Sequence, residues 1–233
     1  MHMRNRSTAV RINQFIHWII FIGVFFFGAL TSLARTQPPP ESIRLHASMS
    51  MGDGHLSLTL LTKGQHKLRA SIQDPQHKSK VHITYNQEQL WTKPFIHGSE
   101  SARKLEGTEA AENLLDLLAL NPQFHFKQRD GFNLSSSALK GYKVEYTQSE
   151  KPYKETNKHV PESLKLFDIS KDEPRLIRSI RYISFQKSTT PFVRPKELVL
   201  TDETTSESGT IIINEVSYNS GIPDFIFKLP ESN

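Results

Sequence analysis

Hydrophobic and polar residues alternate strictly from Ile43. Ile43, Leu45, Ala47, Met49 and Met51 share one side, and Arg44, His46, Ser48 and Ser50 share the other. Period two over this length predicts a strand. Gly52-Asp53-Gly54 turns the chain, and Leu56, Leu58 and Leu60 alternate with Ser57 and Thr59. Lys63-Gly64 turns it again, and Leu68, Ala70 and Ile72 alternate with Arg69 and Ser71 up to Asp74-Pro75. Val81, Ile83 and Tyr85 predict a fourth strand. Leu90-Trp91 predict a fifth after a turn at Asn86 to Gln89. Five strands with tight connections predict an antiparallel meander.

The period then changes. Ala111, Leu114, Leu115 and Leu118 stand at i, i+3, i+4 and i+7, which predicts a helix from about Glu109 to Leu120. Thr108 is the expected cap, Glu109 and Glu112 suit the positive end, and Asn121-Pro122 stops it. So short and apolar a helix needs a sheet to lie against. Further strands are expected over Phe124–Lys127, Tyr142–Thr147, Leu164–Ile169, Arg175–Ser184, Lys196–Thr201, Thr210–Tyr218 and Phe225–Leu229, with a polar loop at Lys151–Pro161. The fold class is mainly β with one or two helices: a curved antiparallel sheet forming an open half-barrel with a helical lid, or an irregular barrel.

The N-terminus follows a different pattern. Arg4, Arg6 and Arg11 precede an almost wholly apolar run from Phe15 to Leu33, and Ser32-Leu33-Ala34 places small residues before Arg35. This order is that of an export signal over residues 1–34, cleaved before Arg35 or retained as a single-span anchor. Either way the arginines stay on the cytoplasmic side, and Arg35 onward is exported. Pro38-Pro39-Pro40 makes residues 35–41 an extended spacer before a domain at 42–233.

Charge changes the picture only slightly. Of the formal +5, the three leader arginines supply three charges, leaving 26 basic against 24 acidic residues. A balance this even does not call for a nucleic-acid partner. The absence of cysteine excludes a disulfide scaffold and a lipidated cysteine.

Catalytic signals are weak. Ser101 and Lys104 match a Ser-x-x-Lys spacing without the elements that accompany it in acyl-enzymes. His55, His66 and His77 are evenly spaced but fall at opposite ends of neighbouring predicted strands, so a shared metal is not expected. Asp74 beside Pro75 reads as a turn residue. Neither an enzymatic site nor a cofactor is expected. Lys63, Lys67, Arg69, His77, Lys78 and Lys80 cluster in sequence, as a solvated strand face or as one that meets anionic headgroups.

Three stretches carry a resemblance: Lys67 to Pro75, a strand ending in a polar-Pro corner; Val81 to Trp91, a hairpin ending in an aromatic after Leu; and Ile211 to Pro230, with Asn219-Ser220-Gly221-Ile222-Pro223-Asp224 as its corner. In order and spacing the chain resembles the LolA/LolB-type lipoprotein-carrier superfamily over most of residues 43–230. It departs in two places. Residues 35–41 are proline-rich where the family has an amphipathic helix, and Gly64 and Gln65 stand where lipoprotein carriers place Arg before Pro.

The resemblance implies a LolA-like lipid-binding domain in the periplasm, working as a carrier of lipid or acylated lipoprotein. Its partners would be the envelope membrane or a membrane protein. The alternative is a membrane-anchored envelope sensor that uses the same fold to detect lipids or lipoproteins. Independently of the name, a bent sheet incompletely filled by its helix leaves an apolar hollow. Each buried CH₂ of a guest contributes roughly 0.8 kcal/mol, or on the order of 12 kcal/mol gross for a sixteen-carbon tail. The candidate lining is Leu58, Leu60, Leu68, Ile72, Val81, Ile83, Trp91, Leu114, Leu118 and Ile213. Periodicity alone gives the same residues as a filled core.

Overall fold

The computed structural model describes residues 41–64, 66–95, 101–121, 126–127, 131–132, 137–154, 159–186 and 193–229. They fall in one compact unit, Pro39–Asn233. The expected leader at 1–34 and the spacer from 35 to 40 lie outside the described residues.

The five-strand meander forms as its alternation predicts: β1 (Ser42–Met51), β2 (Gly54–Lys63), β3 (Lys67–Asp74), β4 (Ser79–Asn86) and β5 (Gln89–Phe95). A two-residue strand, β6 (Arg103–Lys104), adds to β5. Helix α1 (Gly107–Ala119) follows. A small ribbon joins β7 (Phe126–Lys127) to β8 (Gly131–Phe132). The chain then returns through β9 (Tyr142–Gln148), β10 (Pro161–Asp168), β11 (Arg175–Gln186), β12 (Arg194–Asp202) and β13 (Ser208–Tyr218).

These strands make one antiparallel sheet of eleven, in the order β6-β5-β4-β3-β2-β1-β13-β12-β11-β10-β9. It is not closed into a barrel, since β6 and β9 are its two edges. The pairing of β1 with β13, from Ile43 opposite Tyr218 to Met51 opposite Gly209, joins the two meanders in the middle. That pairing places sequence-distant halves side by side, so α1, which lies between them in the chain, can pack across their common face.

Three local expectations are corrected. Phe225–Leu229 is not a strand: residues Asp224–Phe227 form a 3-10 turn that follows Pro223, and Phe227 is wholly buried within it. Thr108 does not cap α1. The N-cap is Glu106, which makes no side-chain cap, while the Thr108 hydroxyl is 2.9 Å from the Tyr142 hydroxyl. Pro161, expected at the end of a polar loop, opens β10 opposite Gln148.

After β13 the chain turns at Asn219, whose φ of +53° is in the left-handed region. The Asn219 side-chain oxygen accepts the Glu41 N–H at 2.9 Å, and its own N–H donates to the Ser42 carbonyl at 2.7 Å. The tail then crosses the ends of β2, β3 and β4. Lys63 donates to the Ile222 carbonyl, Arg69 to the Ile226 carbonyl at 2.7 Å, and Asn86 to the Phe227 carbonyl at 2.9 Å. Three orphan carbonyls are thereby satisfied from strand side chains, which fixes the tail without a ladder.

Candidate functional site

The inward positions of the strands and the apolar side of α1 share one layer. Leu58 and Leu60 from β2, Leu68 from β3, Ile83 from β4, Leu114 and Leu118 from α1, and Ile213 from β13 all belong to a single hydrophobic cluster. Ile72 and Val81 are partly buried against it. The cluster continues through residues outside that candidate lining, among them Leu45, Tyr85, Leu164, Leu166, Ile180 and Tyr182. Alternation in β10 and β11 was the available signal; bulges between Leu166 and Phe167 and between Tyr182 and Ser184 interrupt it.

The hollow expected from the sequence is occupied, across the described residues, by α1 itself. Ala110, Ala111, Leu114, Leu115, Leu117, Leu118 and Ala119 are all buried. Each buried leucine stabilises this docking by about 1.5–3 kcal/mol. A helix with apolar residues on more than one stripe sinks into the sheet, where a narrower stripe would leave it resting on the rim.

Two polar ties fix α1 to β11. The Arg178 guanidinium donates to both carboxylate oxygens of Asp116, with Nε to Oδ1 at 3.0 Å. Arg178 is 13% exposed and also approaches Asp202 at 4.0 Å. Burial, the largest influence, pushes the Asp116 carboxyl up against the pull of Arg178. For Arg178, burial opposes the charge but the surrounding Asp116, Glu112 and Asp202 outweigh it, so its pKa rises. The second tie is the Tyr182 phenol, which donates to the Ala119 carbonyl at 2.9 Å inside the core. Burial raises its pKa well above that of a free phenol, so it remains a donor. At the other end, Arg103 of β6 donates to Glu109 in the first turn of α1.

Trp91 does not join this layer. It pairs with Thr84 on the opposite face, and its indole donates to Gln89 at 3.2 Å. There it lines a 210 Å³ pocket with Arg69, His82, Thr84, Thr92, Lys93, Lys228 and Leu229. A second, 420 Å³ pocket lies over β9 to β11, lined by Thr147, Glu162, Ser163, Lys165, Ser179, Ile180 and Arg181.

No family model matches the chain, and no curated protein matches it. Solved structures do. One is described as an outer membrane lipoprotein-sorting protein domain from Vibrio parahaemolyticus (10% identity over 80% of this chain and 88% of that one, TM-score 0.48). Another is a DUF1329 family protein from Desulfovibrio piger (12%, 82% and 91%, TM-score 0.47). A third is a LolA superfamily protein from Nitrosomonas europaea (14%, 84% and 92%, TM-score 0.47). The name of the third is that of the superfamily the sequence resembles.

Proposed function

We propose that the protein is an exported, non-enzymatic carrier that holds the acyl chains of a lipid or lipoprotein between the inner face of its sheet and α1. It would pass them across the periplasm to an envelope membrane or a membrane-protein partner. In this reading the sheet bends as a half-barrel, α1 is the lid, and the packed arrangement is the empty state.

The observation that carries the reading is the single apolar layer itself. It runs from β2–β4 through β1 and β13 to β10–β12, and one thirteen-residue helix covers it. Displacing leucine side chains by methylenes exchanges one apolar contact for another, so the lid opens at little hydrophobic cost. What must be broken is polar and local: the Arg178–Asp116 and Tyr182–Ala119 ties. Gly107, at φ +59°, gives the helix a pivot at its first residue.

Extraction of the purified protein with organic solvent is expected to release lipid, identified by mass spectrometry. A fluorescent sixteen-carbon fatty acid is expected to bind saturably. A lipid-free extract together with no fatty-acid binding overturns the reading.

A further inference from the structure

The face of the sheet opposite α1 carries charge unevenly. From β1 to β5 its residues include Arg44, His46, Ser48 and Ser50; His55, Ser57, Thr59, Leu61 and Lys63; Lys67, Arg69, Ser71 and Gln73; Lys80, His82, Thr84 and Asn86; and Gln89, Trp91 and Lys93. Not one of these positions is Asp or Glu. The returning half of the sheet is mixed: Glu145 pairs with Lys143 and stands opposite Lys165, and Glu197 lies across from Ile212. With only two net positive charges over residues 35–233, this is segregation within one sheet rather than general basicity.

Among the described residues, carboxylates border the basic half. Asp224 of the tail pairs with Lys63 and Lys67, Glu106 pairs with Lys104, Asp74 pairs with His77 in the β3–β4 turn, and Glu215 faces His46 from β13.

The 210 Å³ pocket opens on this half. Arg69, His82, Lys93 and Lys228 line it with Trp91 and Leu229, and among the described residues that line it none is an acid. Arg69 spends one guanidinium nitrogen on the Ile226 carbonyl. Burial, and then the charges of Arg69, Lys80 and Lys93, push His82 down to about 4. A planar guanidinium, two ammonium groups and an indole at one opening suit an oxyanion carried by an amphipathic body.

We propose that the β1–β5 outer face docks on an anionic lipid surface, with a headgroup phosphate in the pocket between Arg69, Lys93 and Lys228 and the Trp91 ring at the interfacial level. This surface lies on the opposite side of the sheet from the acyl-chain layer, so either proposal can fail without the other.

The chain has two tryptophans, Trp18 and Trp91. In the full chain carrying Trp18→Phe, emission therefore reports the pocket alone. Titration with vesicles of phosphatidylglycerol and phosphatidylcholine is expected to blue-shift that emission. The shift should weaken as salt rises from 50 to 300 mM and be absent with phosphatidylcholine alone. Adding Lys93→Gln and Lys228→Gln, two side chains outside the hydrophobic cluster, is expected to weaken the apparent affinity roughly twentyfold, while the thermal midpoint holds. An equal shift on neutral vesicles, or an unchanged affinity in the double variant, overturns the proposal. A full shift with inorganic phosphate alone also overturns it, because the occupant is then a free anion. If the double variant does not fold, the salt series on the Trp18→Phe chain decides, and a salt-independent shift rejects the proposal.

Discussion

The Tyr182 phenol donates to the Ala119 carbonyl across 2.9 Å of core, tying the last turn of α1 to β11. The bond satisfies a helix C-terminal carbonyl that has no partner within the helix. Tyr182→Phe removes the donor at almost constant volume. Stability measured by urea unfolding is expected to fall by about 1–2 kcal/mol. If α1 is a lid, the same variant is expected to take up fluorescent fatty acid more tightly than wild type. Lower stability with unchanged uptake would make the bond purely structural.

Asp116 and Arg178 form the other tie, and Arg178 is 13% exposed. Asp116→Ala leaves that charge with Asp202 at 4.0 Å and the more distant pull of Glu112. The expected loss is roughly 3 kcal/mol, because an under-paired buried charge costs more than the pair contributed. The double variant Asp116→Leu with Arg178→Leu is expected to recover most of it. If the double variant is as unstable as the single one, the charge is not the cause.

His82 gives the outer face a pH dependence. Its folded pKa is pushed down to about 4, chiefly by burial and then by Arg69, Lys80 and Lys93. The unfolded chain titrates near 6.5. Between those values the unfolded state binds the extra proton, so stability falls as pH drops from about 6.5 to about 4. His82→Gln is expected to flatten the thermal midpoint across that window and leave it unchanged above pH 7. A wild-type slope persisting in the variant would assign the dependence to other groups.

The β1–β5 meander was legible because each strand is half buried, and burial on one face imposes period two on the residues. Helix α1 was legible for the same reason at period 3.6. The Phe225–Leu229 tail was not: a short apolar run reads alike in a strand and in a turn that buries one ring, and only tertiary contact buries Phe227.

Trp91 stands among the candidate lining residues as an aromatic of the hairpin, and the structure puts it on the other face. The correcting signal is the two-residue turn at Gln87 and Glu88, both at positive φ, which sets Tyr85 opposite Leu90 and Thr84 opposite Trp91. A hairpin register fixes the face of every later residue, and neighbouring hydrophobicity does not. The basic half-face was only partly legible. Lys63 to Lys80 cluster in sequence, but Lys93 and Lys228 reach Arg69 only through strand pairing and the crossing tail. Whether the layer is a filled core or a covered cavity is invisible to periodicity, because both require the same leucines.

The central claim is that an acyl chain enters between α1 and the sheet. Amide hydrogen exchange of the full chain, with and without saturating sixteen-carbon fatty acid, tests it most directly. The expected result is a ligand-dependent change in exchange concentrated at residues 107–120, with the central β1 and β13 amides still protected. Identical exchange over α1 at a concentration where the fatty acid is demonstrably bound, or no binding at all, would contradict it.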